Sequence, residues 1–475
     1  MNEYLQQILT YFRNLTLNAT GVRRDFYQLI QDGDISNAIS LMQNRDKDVD
    51  NALQEYNPQT HDVMKRQNKR RKKMDDYKTE KLPRTRQRYI NEVELFFLLG
   101  KPVIWKKVDG DDEAFSLFKD FLDANYINSK LRTLKRLAGA ETEAALVFRL
   151  HREEERLGVD TFIAARSTGY TLRPLFDQYK NLEAFAYGYY TKESSGTVQH
   201  WDIQTKDMIF ECRKGRMGWE VRSYQNIAGK ICVIYAQQPK AWDGAEQRLR
   251  REEFLDSKVA DTNNYFADPI AAASADVIQM MQTNNQSERI GALIQLTGDK
   301  SRFEYINPPQ NSEARRDEKV DLERSILFDT FTPDFSLENM KGFGTLTGAA
   351  VKNAMILGYI KRENRMETWQ ELIDRMRNVI LAVAAQLHPE KQKELGELKV
   401  KFDFAEPFES DKRENWSSIA QLYTAGLVSL EQAVTMLALS DAPADEVEKL
   451  KNAADESHRK AMEEKNGVPT ETGGE

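Results

Sequence analysis

The sequence predicts an α+β fold, predominantly helical, and three observations carry the prediction. A charged helix from about Glu313 gives way to a Pro/Gly-punctuated loop, and then to one very long helix ending near Gln386. Between Ala144 and Tyr235 the apolar spacing changes to short β-branched and aromatic runs separated by turns, the pattern of antiparallel hairpins. A second densely charged helix, following Asp243 and stopping before Pro269, has only a thin apolar stripe.

In chain order, residues 1 to about 60 read as helical. Leu5, Ile8, Leu9 and Phe12 fall at helical spacing, and a second segment near Ser36–Leu53 follows a turn at Asp32-Gly33-Asp34. A basic run follows, then an apolar helix over Tyr89–Leu99 that Gly100-Lys101-Pro102 stops. A helical stretch from Asp112 to about Leu137 places Phe115, Phe118, Leu122 and Leu131 on one side. Strands are predicted at Ala145–Leu150, Thr161–Ala165, Ala184–Tyr190, Val198–Asp202, Asp207–Cys212, Trp219–Ser223 and Ile231–Tyr235. Asp243 is the expected N-cap of the next helix, whose stripe runs through Leu249, Leu255, Val259 and Phe266. So thin a stripe points to packing against further copies of the same helix. Arg289–Thr297 and Arg302–Ile306 read as a short strand pair, and Asn307-Pro308-Pro309 breaks structure before the helix near Glu313.

The loop over Thr332–Gly348 cannot be helical throughout. Pro333 lacks a donor and biases Thr332 away from the helical region, and Gly342, Gly344 and Gly348 sit at the far end. From Gly348 to Gln386 no proline intervenes. Val351, Met355, Trp369, Leu372, Ile373, Met376, Val379, Ile380 and Val383 recur on one face. A helix of that length spans roughly 58 Å at about 1.5 Å per residue, longer than one compact core needs. His388-Pro389 ends it, Val400–Ala405 is a brief strand, and the acidic remainder reads as helices and a disordered tail over 466–475.

At 475 residues, 40% apolar and 30% charged, the chain has core material for two to four domains. No window approaches eighteen uncharged apolar residues, and Met1-Asn2-Glu3-Tyr4-Leu5 lacks the start of a signal peptide. Cys212 and Cys232 are expected to be reduced. The net charge of −7 is uneven. Twelve Lys/Arg against three acids between Lys65 and Arg88 give +9, leaving −16 on the rest. That run fits a nucleic-acid arm, a contact with an acidic partner, or a solvated linker.

The search for catalytic chemistry is empty. No Walker A run, His-Glu-x-x-His, Cys-x-x-Cys or Gly-x-Ser-x-Gly occurs. Gly342-Phe343-Gly344 follows a helix rather than a strand and does not extend to a dinucleotide fingerprint. Asp109-Gly110-Asp111-Asp112 lacks an EF-hand continuation, and five scattered histidines give no ligand spacing. No catalytic residue, metal or cofactor is expected.

Several strings, taken in order, resemble the portal proteins of tailed bacteriophages, the SPP1-like portal family. The first is Asn91-Glu92-Val93-Glu94-Leu95-Phe96-Phe97-Leu98-Leu99-Gly100-Lys101-Pro102-Val103. Gly229-Lys230-Ile231-Cys232-Val233-Ile234-Tyr235-Ala236 follows, then Ser257-Lys258-Val259-Ala260-Asp261-Thr262-Asn263-Asn264 in the charged helix. The strongest is Thr332-Pro333-Asp334-Phe335 with Gly344 to Gly348 and Ala349-Ala350-Val351-Lys352. Ala425-Gly426-Leu427-Val428-Ser429-Leu430-Glu431-Gln432 is similar to the family's crown segment, with Gln432 where a Thr is common.

The resemblance spans roughly Tyr89 to Ala454 and implies a portal fold. The wing would take 1–240 and 348–406, the stem 241–272 and 313–331, the clip 273–312, the tunnel loop 332–347 and the crown 407–465. It implies a dodecameric ring at one capsid vertex of the virion, assembled in the host cytoplasm, through which double-stranded DNA is packaged and ejected. The implied partners are the terminase large subunit, which would supply ATP hydrolysis, head-tail adaptor proteins, and capsid and scaffolding proteins; no membrane is involved. The loop residues the resemblance places at DNA are Phe335, Asn339, Lys341, Gly342, Gly344, Thr347 and Gly348, and the stem cations are Arg248, Arg251, Arg315, Arg316 and Lys319. Lys341 is the basic residue of that loop and would meet phosphates or, equally, solvent or a neighbouring subunit. The rival from another class is a DNA-binding replication or processing factor that uses the 65–88 run.

Overall fold

The computed structural model describes residues 26–71, 74–153, 156–194, 196–267, 271–273, 303–305, 312–336, 353–408, 412–437, 447 and 449–452. Contacts divide the chain into two units: residues 1–334 with 356–407, and residues 335–355 with 408–475.

The first unit opens with α1 (Phe26–Gln31), α2 (Ile35–Leu41) and α3 (Asp46–Tyr56). Asp34 caps α2 by accepting from the Asn37 N–H, so the Asp32–Asp34 turn also starts a helix. The basic run then forms the hairpin β1 (Lys69–Arg71) and β2 (Met74–Tyr77), and an extended strap over 78–85 leads into α4 (Arg86–Leu99). Next come β3 (Ile104–Asp109), α5 (Asp112–Ala124) and α6 (Ile127–Glu141). The single helix expected over Asp112–Leu137 is in fact two, because Tyr126 adopts a left-handed conformation (φ 52°) between them. Asp111 caps α5 through the Ala114 N–H, which accounts for the acidic turn before it.

Eight strands follow: β4 (Glu143–Glu153), β5 (Arg156–Ala164), β6 (Thr171–Phe176), β7 (Leu182–Glu193), β8 (Gly196–Thr205), β9 (Met208–Gly215), β10 (Gly218–Gln225) and β11 (Val233–Gln237). They form two sheets, not one. The larger has the order β10-β9-β8-β7-β6 and the smaller β11-β4-β5, all antiparallel. β6 was not expected; Pro174 in the middle of Thr171–Phe176 hides it, and it lies at a sheet edge where proline is tolerated. Alternation in β4 and β7 sets the layers. Leu146 and Phe148 face the helices while Ala145 and Val147 face the other sheet; Phe185 and Tyr187 meet them, and Ala184 and Ala186 turn to α1 and α2.

The chain continues through α7 (Glu246–Ala267), β12 (Ala271–Ala273), β13 (Phe303–Tyr305) and α8 (Ser312–Asp329). Asp243 does not cap α7. The Leu249 N–H donates to the Ala245 carbonyl, so the helix starts after a Lys240–Ala245 turn. Arg302–Ile306 does contain a strand, but its described partner is Ala271–Ala273; Arg289–Thr297 lies outside the described residues.

The long helix α9 (Ile356–Leu387) is followed by α10 (Gln392–Glu397) and β14 (Lys399–Asp403), which pairs with β3. Its 32 residues reach about 48 Å. Residues 348–352 of the expected helix lie outside the described residues, and a turn at Met355 precedes α9. The predicted stripe from Trp369 to Val383 is buried throughout and joins α4, α5, α6 and the three-stranded sheet in the largest apolar core. Close approach to α4 requires Gly358, where a Cβ would lie 2.2 Å from the Phe97 ring. The second unit contains α11 (Lys412–Thr424) and α12 (Leu430–Leu437). Cys212 and Cys232 are free and buried.

Candidate functional site at the paired helices and the loop base

Helices α7 and α8 are antiparallel and held by side chains of opposite charge. Arg248 pairs with Asp329, Arg251 with Glu318 at 2.7 Å, and Lys319 with Asp256 at 3.0 Å. Three of the five predicted stem cations therefore bind the other helix of the pair within the same chain. Arg315 is half-buried and Arg316 exposed.

The opposite side of α7 is covered by the strap. Arg66 reaches Asp261 at 2.6 Å, the Glu80 N–H donates to Asp261, the Leu82 N–H to Ser257 Oγ, and the Arg84 N–H to Glu253. The Arg84 guanidinium binds Asp256, and Arg86 donates a fork to Glu252 and bridges to Glu323 on α8. Strap residues rise by two as α7 residues fall by about four, so an extended chain runs antiparallel down one stripe of the helix. Glu252 and Ser257 are fully buried under it. The thin apolar stripe of α7 is thus explained within one chain: its carboxylates are buried beside Arg66, Arg84 and Arg86. These three guanidiniums of the basic run are engaged inside the molecule.

His61 pins the same stretch. Its Nδ1 lies 2.6 Å from the Glu253 carboxylate and its Nε2 2.7 Å from the Glu55 carbonyl. Both neighbours are acceptors, so both bonds form only with an imidazolium. Burial works against that charge, but the Glu253 carboxylate outweighs it and raises the His61 pKa.

Where α8 ends, Phe331 takes a left-handed conformation (φ 48°), with the Thr332 N–H donating to Leu327 and the Phe331 N–H to Phe328. This is a Schellman turn with a phenylalanine at the position glycine normally fills. The chain leaves it buried: Thr332 is 1% exposed, and the Tyr89 hydroxyl donates to the Pro333 carbonyl at 2.8 Å. Lys361, from the first turns of α9, donates to Thr332 Oγ1 and to the Ala241 carbonyl just before α7. One side chain thus joins the loop base, the approach to α7 and the start of the long helix.

Lys361 belongs to a buried charge cluster. Glu94 Oε1 accepts from Lys135, from Arg365 at 3.2 Å and from Gln238 at 3.1 Å, while Lys361 approaches Oε2 at 3.5 Å. Trp369 donates to Gln238, and Lys135 lies over the Trp369 ring. Burial alone would raise the Glu94 carboxyl; the Lys135, Lys361 and Arg365 cations override it and hold Glu94 well below the carboxylate range. Burial lowers Lys361 to about 8, against the pull of Glu94.

Phe335 is half-buried in the second unit, and Asn339, Lys341, Gly342, Gly344, Thr347 and Gly348 lie outside the described residues. Sequence reading missed Glu94, Lys135 and Lys361. A carboxylate inside the apolar run Ile90–Leu99 was the available signal for the first. Among the described residues no His/Cys/Asp/Glu group is arranged to hold a metal, and no helix is long and apolar enough to cross a membrane.

The sequence model of the phage portal protein family, SPP1 Gp6-like, matches residues 40–460. The chain belongs to this family of phage portal proteins. The match includes the strap, both paired helices, the loop and the long helix. No curated protein matches the chain. Among solved structures, a chain in the neck of a native gene transfer agent particle computed with C12 symmetry is similar at 13% identity, covering 75% of this chain and 89% of that one, with a TM-score of 0.40. A chain in the neck of an empty particle computed with C6 symmetry has the same identity and coverage and a TM-score of 0.44.

Three variants test the site by their stability. Glu94→Gln leaves the buried Lys135 and Lys361 and the half-buried Arg365 without their anion, and should destabilise the protein by about 3–5 kcal/mol. Arg136→Ala, which breaks a half-exposed pair with Glu92, should cost under about 1 kcal/mol. For His61 the folded pKa is raised, so its contribution is complete below the unfolded value of 6.5 and is lost as pH rises through the folded value. The thermal midpoint of His61→Gln should fall furthest below wild type near pH 6, and the gap should close at alkaline pH. A gap constant from pH 6 to alkaline pH contradicts a charged His61.

Proposed function

We propose that the chain assembles into a ring at one vertex of a phage capsid and serves there as the passage for double-stranded DNA. The observation that carries this reading is family membership over residues 40–460, which takes in the paired helices and the loop together. In this reading α7 and α8 form the stem, 273–312 the clip and 332–347 the tunnel loop. Residues to about 240 with 348–406 form the wing, and 407–465 the crown. A dodecamer, docking of terminase and later of head-tail adaptors at the clip end, and residence in the virion after assembly in host cytoplasm belong to the same proposal.

The physics of the loop base supports it. A passage needs a constriction that yields without loosening its walls. Here Thr332 and Pro333 are fastened by Lys361 and Tyr89, so movement of the loop need not propagate into α7 or α9. Glycines at 342, 344 and 348 permit backbone change beyond that anchor. Lys341, Asn339, Thr347 and Phe335 are the loop side chains proposed to meet DNA, with Lys341 acting through phosphate charge. No catalysis is assigned to the chain; the family is structural. The rival reading, a DNA-processing factor acting through the basic run, loses Arg66, Arg84 and Arg86 to α7.

The test is a DNA-packaging assay with particles built on a portal lacking residues 336–342. Ring assembly and incorporation into capsids should persist while packaged DNA is lost. Wild-type DNA content in those particles overturns the role of the loop.

A further inference from the structure

Among the described residues the strap covers one outer side of the α7–α8 pair. The strap lies on the α7 stripe of Glu253, Ser257, Asp261 and Asn264, and α8 meets α7 from the other side through Glu318, Lys319 and Asp329. Among the described residues nothing covers the far face of α8. Glu313, Asp317 and Asp321 are exposed there with Val320 at 38% and Phe328 at 66%, and Arg316 and Arg324 are exposed cations at the same helical spacing. A shallow groove between its turns is lined by Ala314, Asp317, Glu318, Asp321, Leu322 and Ser325.

The outer side of the strap has the opposite character. Lys78 is exposed, Lys81 partly so, and Leu82 is 41% exposed, next to a hairpin whose strand is Lys69–Arg71. Among the described residues, none of Lys78, Lys81, Glu313, Asp317 or Asp321 has an oppositely charged partner. The two surfaces also stand level. Arg84 and Lys319 both bind Asp256, and Arg86 binds both Glu252 and Glu323, so strap residues 78–82 lie alongside the N-terminal half of α8.

We infer that the bare face of α8 seats the strap of a neighbouring copy, with Lys78 and Lys81 against Asp317 and Asp321, and Leu82 against Val320. The layer order strap, α7, α8 then repeats from copy to copy, and both outer faces of the helix pair are covered. Such an interface is heterologous, so successive copies close a ring where the rotation allows it. Both exposed charge sets are neutralised by the contact, which steers encounter and disfavours back-to-back pairing of two acidic faces. This inference rests on the ring reading given above and names the surfaces that make the ring.

The experiment uses the full chain and reciprocal charge reversal, read by mass photometry and electron microscopy. Lys78→Glu with Lys81→Glu, or Asp317→Lys with Asp321→Lys, should lower the ring fraction at least about tenfold, and the fourfold combination should restore it to within about twofold of wild type. All these positions are exposed or partly exposed, so thermal midpoints of the variants check that folding is unchanged. A second arm places Lys81→Cys and Asp317→Cys in one chain. Oxidation should give a ladder of covalent multimers, because the two positions lie on opposite sides of the helix pair and cannot join within one copy. Wild-type rings with indifferent double reversals and no ladder overturn this contact alone. A wild type that never forms rings overturns the ring reading with it.

Discussion

The Glu94 carboxylate, buried among Lys135, Lys361 and Arg365, is the constraint on which the arrangement depends. A single anion facing three cations is not the cheapest way to fill a core; an apolar set of the same volume would often be as stable. What the cluster provides is position. Lys361 can reach Thr332, the Ala241 carbonyl and Glu94 together only if α4, α9, the approach to α7 and the loop base keep one mutual geometry. Shifting any of them leaves a buried ammonium or carboxylate without its partner, and that penalty is steep in a low-dielectric interior.

A second ionic system does for α7 what the first does for the loop. In most helices carboxylates face water, but in α7 Glu252, Glu253 and Asp261 are buried, with guanidiniums or an imidazolium against them. The strap that carries these cations adds backbone N–H groups as donors, so the carboxylate oxygens are bonded from more than one direction. The helix pair is therefore fixed to the strap by directional bonds, and to α3 and α4 by an apolar cluster that includes Ile90, Trp242, Leu249 and Ile326.

The sequence disclosed most of this where periodicity was strong. The Trp369–Val383 stripe, seven of the eight strands from β4 to β11 and the stop at Gly100 were all legible from spacing and from helix-stop residues. It failed where tertiary contacts overrode local pattern. Pro174 concealed an edge strand, and Tyr126 split one helix into two by a left-handed residue that no pattern marks. The basic run looked like a surface for nucleic acid because nothing local says that Glu252, Asp256 and Asp261, 166 to 195 residues on, will meet it. Glu94 and Lys361 were invisible for the same reason: buried charges are recognised by their partners, and these are distant in sequence. The loop residues from Asn339 to Gly348 came from resemblance to the portal family, and they lie outside the described residues.

Family membership supplies the class, and the two ionic systems supply a physical account of how one subunit presents a rigid helix pair and an anchored loop to a ring. The most direct measurement of that account is electron microscopy of the purified full-length protein across a concentration series. It predicts closed rings of one stoichiometry with a central hole, persisting as the protein is diluted through the assembly range. A well-behaved monomer at every concentration would contradict it.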